Sequence, residues 1–251
     1  MPAVEAFGLS DVGRVRSRNE DSYALVEEQG LFVVADGMGG HGNGDVASQI
    51  AVGAIVEKYR QSAGEVGSDG ELAVAERLQS AFAHAHERIR EAGDRDGALR
   101  GMGTTVIAIV IDGEAAIIGH VGDSRAYALR GSTLTQLTED HSWVHEQVAA
   151  GHLSVAQARD HPFKSVVTRA LGGEQAVEVD LRRVRLQPGD LLVLCSDGLT
   201  TMLTDEEIGR LLSAGGGVEE RSTRLVAAAN ERGGADNITV ILLAVRGEGD
   251  D

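Results

Sequence analysis

The sequence predicts an α+β fold in which antiparallel sheets are covered by helices. Apolar strands follow one another in runs, with Asp112-Gly113 and Arg130-Gly131 where hairpin turns are expected. Helical segments come in consecutive pairs, so the βαβ alternation of a doubly wound parallel sheet is missing. No segment rich in Pro or Ser divides the chain. We therefore expect residues 1–251 to form one domain.

Short apolar runs rich in Val, Ile and Leu predict the strands, because such runs bounded by turn residues are typical of buried strands. A dense polar segment over 14–21 follows the first of them, and the acidic end over 248–251 is expected to fray. In chain order, the predicted strands are 4–9, 23–27, 31–35, 104–111, 115–120, 126–130, 133–137, 166–170, 177–185, 191–194 and 237–245.

Apolar residues at near-helical spacing predict the helices. The pattern is clearest where Leu78, Phe82 and Ile89 fall on one side of a long amphipathic segment. A loop rich in Gly and Ser over 61–70 separates the first two helices, and a polar helical pattern with four histidines covers 139–162. The predicted helices are 45–60, 71–92, 205–213 and 218–231.

The composition is that of a soluble globular protein. Hydrophobic residues make up 42% of the chain and charged residues 25%. The formal net charge of −16 disfavours binding to nucleic acid and to anionic membrane surfaces. The single cysteine, Cys195, excludes an internal disulfide and fits a reducing compartment. Since neither a signal peptide nor a membrane-spanning run is visible, the protein is expected to be cytoplasmic, with no membrane partner.

The stretch 31–40 is the centre of the functional interpretation. Its apolar run LFVVA ends on Asp36 and continues into a glycine-rich turn that begins with Gly37. A carboxylate at the tip of an apolar strand is costly to desolvate unless a cation or hydrogen-bond donors meet it. A glycine at the next position leaves room for the backbone to approach a ligand. The alternative is that Asp36 only forms the turn.

Three further aspartates lie at the ends of apolar strands: Asp123 after AIIGHVG, Asp197 after LLVLCS, and Asp236 just before NITVILLAV. Carboxylates packed together repel one another unless cations lie between them. No Cys or His accompanies them at zinc-like spacing, which favours oxygen ligation of Mg²⁺ or Mn²⁺. Four unrelated turn aspartates are the alternative, but four strand ends are harder to explain in that way.

Two rival interpretations are disfavoured, one by its surroundings and the other by a missing residue. Residues 37–42 satisfy the G-x-G-x-x-G dinucleotide pattern, yet Asp36 would face the pyrophosphate and no βαβ unit follows. The C-x5-R loop of cysteine phosphatases fails because Thr201 stands where the arginine is needed. Cys195 is therefore interpreted as a small core residue.

Six short motifs are distributed over most of the chain. They are R-S-R-N-E-D at 16–21, V-A-D-G-M-G-G-H at 34–41, G-T-T at 103–105, V-G-D-S-R at 121–125, S-D-G-L at 196–199 and A-D-N-I-T-V at 235–240. In their residues and their order they resemble the bacterial branch of the protein phosphatase 2C family, the metal-dependent Ser/Thr phosphatases. The resemblance implies a four-layer α/β/β/α sandwich, in which two packed antiparallel sheets are flanked by helix pairs and a flap lies near 139–165.

The resemblance also implies a metal centre with two core Mn²⁺ or Mg²⁺ ions and a third ion. Asp36 would bridge the two core ions, and the carbonyl of Gly37 would bind one of them. Asp197 and Asp236 would complete the shell of the second ion. In the bacterial branch the third ion is held by the aspartate that matches Asp123, together with Asp197.

Further implied roles fall on the polar segment before the second strand. Glu20 and Asp21 would act on the ions through bound water. Arg16 matches the arginine that holds the substrate phosphate, because it alone has the R-x-x-N-E-D spacing. Arg14 and Arg18 are interpreted as solvated surface residues.

The implied reaction is hydrolysis of phosphoserine and phosphothreonine in proteins. A water or hydroxide that bridges the ions would attack phosphorus in line, so no phosphoenzyme is needed. The leaving alkoxide needs a proton from an acid or from a metal-bound water. Met38 stands where the eukaryotic branch has its proposed acid, and His41 is the nearest histidine. His41 as the acid and His41 as a solvent-facing loop residue are both open.

Residues 139–165 fall where bacterial members of the family carry a mobile flap, which suits a lid that meets a protein substrate. Four histidines of this segment are interpreted as flap-surface residues: His141, His145, His152 and His161. The implied partners are phosphorylated proteins, targets of a Ser/Thr kinase, with the kinase itself as a candidate, and a monomer is expected. A catalytically inactive module that binds phosphoproteins and metal is the alternative, which the retained Arg16 and aspartates disfavour.

Overall fold

The computed structural model describes residues 4–39, 42–62, 71–174 and 176–247. In these ranges the strands are β1 (Val4–Asp11), β2 (Asp21–Val26), β3 (Leu31–Met38), β4 (Gly103–Thr104), β5 (Val106–Asp112), β6 (Ala115–Val121), β7 (Arg125–Arg130), β8 (Thr133–Gln136), β9 (Asp180–Arg185), β10 (Leu191–Cys195) and β11 (Ile238–Val245). The α-helices are α1 (Gly44–Ser62), α2 (Glu71–Arg95), α3 (Trp143–Ala149), α4 (Val155–Arg159), α5 (Asp197–Met202), α6 (Asp205–Ser213) and α7 (Val218–Glu231).

The strands form two sheets, and neighbouring strands in both are antiparallel, as the hairpin pattern predicts. One sheet has the order β1-β11-β10-β7-β8. The other has the order β2-β3-β5-β6-β9, and the short β4 pairs with the end of β3. The first and last strands of the chain, β1 and β11, are therefore neighbours in one sheet.

Three apolar layers hold the sheets and helices together. Between the sheets, Phe32 of β3 packs in the same cluster as Leu194 of β10. On the outer face of the β2–β9 sheet, Ile55 of α1 and Phe82 of α2 form a second cluster. On the outer face of the other sheet, α7 contributes Leu225 to a third. The structure is thus the predicted α/β/β/α sandwich.

Several predicted strands differ in the structure. The strand predicted over 31–35 continues past Asp36 to Met38, where it pairs with β4, and the strand predicted over 104–111 is interrupted at Thr105, which separates β4 from β5. Residues 166–170 form no strand: Val167 makes only an isolated bridge to Ser142, and Val166 remains 43% exposed. Instead of entering a sheet, this segment connects the end of the flap to its start through that bridge. The strand predicted over 177–185 begins only at Asp180, because its pairing with β6 starts where Asp180 meets His120, one residue before β6 ends.

The helical predictions need smaller corrections. The sequence did not predict α5, because its six residues carry too little helical periodicity. The polar pattern over 139–162 forms two short helices, α3 and α4. Most of the predicted loop over 61–70, residues 63–70, and the acidic end over 248–251 lie outside the described residues. Among the helices that the structure describes, none combines the length and apolar character needed to cross a bilayer.

Candidate metal centre

Five aspartates lie at one end of the two sheets. Asp21 opens β2 and stands directly opposite Asp36 of β3 in the antiparallel register. Asp197 follows β10 as the first residue of α5, and Asp236 lies two residues before β11. Because β10 and β11 are antiparallel neighbours, the end of β10 and the start of β11 lie at the same end of their sheet. Asp123 lies two residues after β6.

The aspartates are close enough to raise one another's pKa. Burial raises the pKa of Asp36 well above its ordinary value, and the other four carboxylates raise it further. Burial, and after it the carboxylate of Asp236, also raises the pKa of Asp197. Asp36 is near enough to share a hydrogen bond with Asp197, which opposes that rise. Such a group of acids favours either protonation or a bound cation.

The two carboxylate oxygens of the buried Asp21 have different surroundings. Its Oδ2 accepts hydrogen bonds from Ser196 Oγ at 2.7 Å and from Thr239 Oγ1 at 2.6 Å. Among the described residues, neither Oδ1 of Asp21 nor Oδ1 of Asp197 has a hydrogen-bond partner. Burial raises the pKa of Asp21 to about 7, although the two hydroxyl groups oppose the rise. Unpartnered buried carboxylate oxygens are atoms that a hard cation would bind.

Asp36 is held through its backbone. Its carbonyl accepts hydrogen bonds from Thr105 N at 2.9 Å and Thr104 Oγ1 at 2.8 Å, and its own N–H donates to Thr105 Oγ1 at 3.3 Å. A Cβ atom on the next residue, Gly37, would lie 2.0 Å from the carbonyl oxygen of Gly44. In the direction where a side chain would project, Gly37 is therefore packed against the start of α1, which leaves no room for a larger residue.

Asn237 fixes the position of Glu20. Its side-chain amide donates to the carbonyls of Val12 and Arg18, both at 2.9 Å, and its Oδ1 accepts a hydrogen bond from Glu20 N at 2.8 Å. The polar segment before β2 is thereby tied to the start of β11. The sequence reasoning assigned no task to Asn237 or Ser196, and polar residues buried beside strand ends are the signal that points to them.

Arg16 reaches the aspartates from an exposed loop. Its Nη2 lies 2.7 Å from Asp236 Oδ2, and 49% of its side chain is exposed. Among the described residues, Arg14 and Arg18 form no ion pair with the five aspartates. Of these three arginines, Arg16 is therefore the one that lies beside the aspartates. Its role in holding a substrate phosphate stays a prediction.

A groove of about 1090 Å³ extends from Asp123 and Asp197 toward the flap. Arg159 and Lys164 of the flap are among the residues that line it. Burial raises the pKa of Asp123 to about 8, with Asp197 as the next cause. The groove is much larger than a phosphate group and so has room for neighbouring residues of a substrate.

The predicted exposure of the flap histidines is wrong for His141. It is only 6% exposed, and its Nδ1 accepts a hydrogen bond from Gly122 N at 3.0 Å. His145 and His161 are partly exposed and His152 is exposed. His41 lies outside the described residues, and its two predicted roles stay predictions.

The residues of this site fit a divalent cation although they are not assembled around one. In the described parts of the chain, no group of three or more acidic, His or Cys side chains has its donor atoms gathered around a common point. The aspartates nevertheless offer carboxylate oxygens, and two of these are buried with no partner in the part of the chain that the structure describes. Oxygen donors suit Mg²⁺ and Mn²⁺.

Comparison with known proteins agrees with the motifs. A family model described as protein phosphatase 2C matches residues 13–242. The serine/threonine phosphatase Stp of Listeria welshimeri is 39% identical over 237 residues, which cover 93% of each chain.

Solved structures show the same likeness in three dimensions. The Mycobacterium tuberculosis serine/threonine phosphatase PstP/Ppp is 36% identical, with a TM-score of 0.88 over 97% of this chain and 99% of that one. The catalytic domain of PstP in complex with two manganese ions is 35% identical, with a TM-score of 0.86 over the same shares. The chain belongs to the protein phosphatase 2C family.

Proposed function

We propose that this protein is a metal-dependent phosphatase that hydrolyses phosphoserine and phosphothreonine in proteins. The observation that carries the proposal is the group of five aspartates beside the exposed guanidinium of Arg16. Two of them, Asp21 and Asp197, each have a buried oxygen with no partner among the described residues. The family model and the serine/threonine phosphatases among the relatives support the reaction. The two manganese ions in the PstP structure support the dependence on metal.

The proposed metal ligands are residues that lie together at this end of the two sheets. Asp123, with Asp197, is the proposed holder of a third ion. When bound, Mn²⁺ or Mg²⁺ supplies positive charge that neutralises the phosphate dianion and acidifies the attacking water. The proposed ligands of the two core ions are Asp36, the carbonyl of Gly37, Asp197 and Asp236, with Glu20 and Asp21 acting through water.

Arg16 is proposed to bind the substrate phosphate. In the structure it is paired with Asp236, so phosphate binding would exchange one anionic partner for another. The hydrogen bonds from Thr104 and Thr105 to the Asp36 backbone, and from Glu20 to Asn237, keep the acids in place while charge develops on the substrate.

The leaving alkoxide of serine or threonine must gain a proton, because it is strongly basic. We propose two donors, His41 and a water molecule at the site. The pH dependence of kcat in His41→Ala distinguishes them: loss of an ionisation from the profile assigns the proton to His41, and an unchanged profile assigns it to water.

The proposed substrates are phosphorylated proteins that a Ser/Thr kinase has modified, including the kinase itself. The groove beside Asp123 and Asp197 supports this class, since it extends well beyond a phosphate group. We further propose that the protein acts as a cytoplasmic monomer, with residues 1–251 as one catalytic domain that does not bind nucleic acid.

Phosphate release from a phosphothreonine peptide and from p-nitrophenyl phosphate tests the proposal. The assay is run with Mn²⁺, with Mg²⁺, after EDTA treatment, and after Mn²⁺ is restored. We expect hydrolysis that EDTA abolishes and added Mn²⁺ recovers. Full activity in metal-free buffer would contradict the metal requirement. Peptide binding without hydrolysis at saturating Mn²⁺ would instead identify an inactive phosphoprotein-binding module.

A further inference from the structure

The loop that carries Asp123 is held by the two residues at the start of the flap, Asp140 and His141. This loop, residues 122–124, follows β6 and leads into β7, which begins at Arg125. At its start Gly122 has a φ of +115°, and a Cβ there would lie 2.4 Å from the Cβ of Thr105. The loop thus has a backbone conformation that side-chain-bearing residues rarely adopt.

His141 holds the loop at Gly122. The His141 N–H donates to the Gly122 carbonyl at 2.8 Å, and the Gly122 N–H donates to His141 Nδ1 at 3.0 Å. A ring nitrogen that accepts a hydrogen bond carries no proton, so neutral His141 has its proton on Nε2, which faces Asp180 Oδ2 at 3.1 Å. Asp180 also accepts a hydrogen bond from Arg169 at 3.0 Å. His141 therefore connects the loop of Asp123 to the edge strand β9.

Asp140 holds the far end of the loop, where β7 begins at Arg125. Arg125 Nε donates to Asp140 Oδ1 at 2.8 Å, and Arg125 Nη2 donates to Asp140 Oδ2 at 2.6 Å. The Asp140 side chain is only 11% exposed. A bidentate pair of this kind fixes orientation as well as distance. Asp123 lies between the two residues, Gly122 and Arg125, that these contacts hold.

The other end of β7 carries the same kind of ion pair in a different setting. Arg130 Nε donates to Asp190 Oδ1 at 2.8 Å, and Arg130 Nη2 donates to Asp190 Oδ2 at 2.7 Å. Asp190 is 2% exposed and lies just before β10, at the opposite end of that strand from Asp197. The two pairs have similar chemistry, but only the Arg125 pair adjoins an aspartate of the site.

We propose that Asp140 and His141 are positioning residues for Asp123, which keep its carboxylate where it can bind a cation. The inference rests on the proposed role of Asp123 as a ligand of the third ion. If the loop is released, this ion is held less tightly. The loop contacts the core ligands through Ser124, whose hydroxyl lies 2.7 Å from the Thr105 hydroxyl that accepts the Asp36 N–H. The Asp36 carbonyl is held separately by Thr104 Oγ1 and Thr105 N, so we expect the other two ions to stay bound.

The test compares Asp140→Asn and His141→Ala with Asp190→Asn as the matched control, each in the full chain. Calorimetric titration with Mn²⁺ counts the bound ions and measures their affinities. We expect the two tight ions to bind all three variants as they bind the wild type. The weakest ion should bind Asp140→Asn and His141→Ala at least about tenfold less tightly, and Asp190→Asn as tightly as the wild type.

His141→Asn separates positioning from a general loss of stability. The side-chain oxygen of asparagine can accept the Gly122 N–H in place of Nδ1, while the contact with Asp180 is lost. We expect this variant to recover most of the ion affinity that His141→Ala loses. Exchange of the Gly122 amide proton, followed by NMR, should be faster than wild type in His141→Ala, slow again in His141→Asn, and unchanged in Asp190→Asn.

Asp123→Ala distinguishes failure of this inference from failure of the proposed function. If Asp123→Ala loses the weakest ion while folded Asp140→Asn and His141→Ala retain it, Asp123 is a ligand and its positioning by the flap base is wrong. If Asp123→Ala retains every ion, its ligand role is wrong and the positioning role with it. Should His141→Ala not fold, Asp140→Asn and His141→Asn decide the question, since the first keeps the shape of the side chain and the second keeps an acceptor for the Gly122 N–H.

Discussion

Strand β10 has an aspartate near each end, and the surroundings of the two are opposite. Asp190, before the strand, accepts two hydrogen bonds from Arg130 and one from Gln187 N. Asp197, after the strand, has a buried Oδ1 without a partner among the described residues. Burial and the carboxylate of Asp236 raise the pKa of Asp197. One end of the strand is therefore electrostatically satisfied and the other is not.

The difference shows that this chain can neutralise a buried carboxylate with an arginine and does not do so where the aspartates meet. Arg130 makes Asp190 a structural residue. At the other end of the sheet, Arg16 forms an ion pair with Asp236 from an exposed loop. The negative charge that is left over is a reason to expect cations from solution, because carboxylates packed together repel one another without them.

The largest expected effect separates the two kinds of aspartate. Asp36→Asn should lower kcat by more than about 100-fold, because loss of a proposed bridging ligand should cost more than loss of a group that only orients a ligand. Asp190→Asn should leave kcat near the wild-type value and lower the melting temperature, because Arg130 loses its charged partner. Phosphate release and thermal denaturation measure the two effects. A kcat for Asp36→Asn within a few-fold of wild type would contradict the bridging role.

Arg16→Ala should have the next largest effect. A bidentate contact with the phosphate is worth on the order of 1.5–3 kcal/mol, so kcat/KM should fall by roughly 10- to 150-fold. KM should rise, and kcat should also fall if the contact strengthens in the transition state. Arg14→Ala and Arg18→Ala are the controls and should change kcat/KM much less. Equal losses in all three variants would show that the loop acts through its total charge.

Asp123→Ala should have a smaller effect on turnover and a selective effect on metal binding. A third ion with few protein ligands keeps several waters and exchanges readily, so the two core ions should bind with near wild-type affinity. Turnover per folded molecule should fall by about tenfold. Calorimetry with Mn²⁺ and kcat, measured on the same preparation, test both statements. Full kcat at saturating Mn²⁺ would remove Asp123 from the site.

The smallest expected effect is on the stability of the metal-free protein. Burial raises the pKa of Asp21 to about 7 and that of Asp123 to about 8. A carboxyl group with a raised folded-state pKa binds more protons in the folded state, so its contribution to stability is full below about pH 4 and is lost as the pH rises toward 8. In EDTA, the melting temperature should therefore fall over this range.

Added Mn²⁺ sharpens this prediction, because a cation should replace the protons that stabilise the aspartates at low pH. The rise in melting temperature on adding Mn²⁺ should be larger at about pH 8 than at about pH 6. A larger rise at the lower pH would contradict the placement of cations among these groups.

Local patterns made the fold and the outline of the site predictable. Hairpins such as β5–β6 can be read from neighbouring residues, and so can the position of Asp36 at the end of an apolar run. The hydroxyl groups that bind Asp21 could not be found in this way, because Ser196 and Thr239 are 175 and 218 residues away along the chain. His141 was predicted to be exposed for the same reason: its polar neighbours indicate a surface, whereas its burial depends on other segments.

Anomalous diffraction at the manganese edge, from crystals grown with Mn²⁺, tests the central claim most directly. We expect two strong peaks that both contact the Asp36 carboxylate, one of them also in contact with Asp197 and Asp236. We also expect a weaker peak at Asp123 and none at Asp190. Strong peaks away from these four aspartates, or a peak at Asp190, would contradict the claim that the carboxylates at this end of the sheets bind cations.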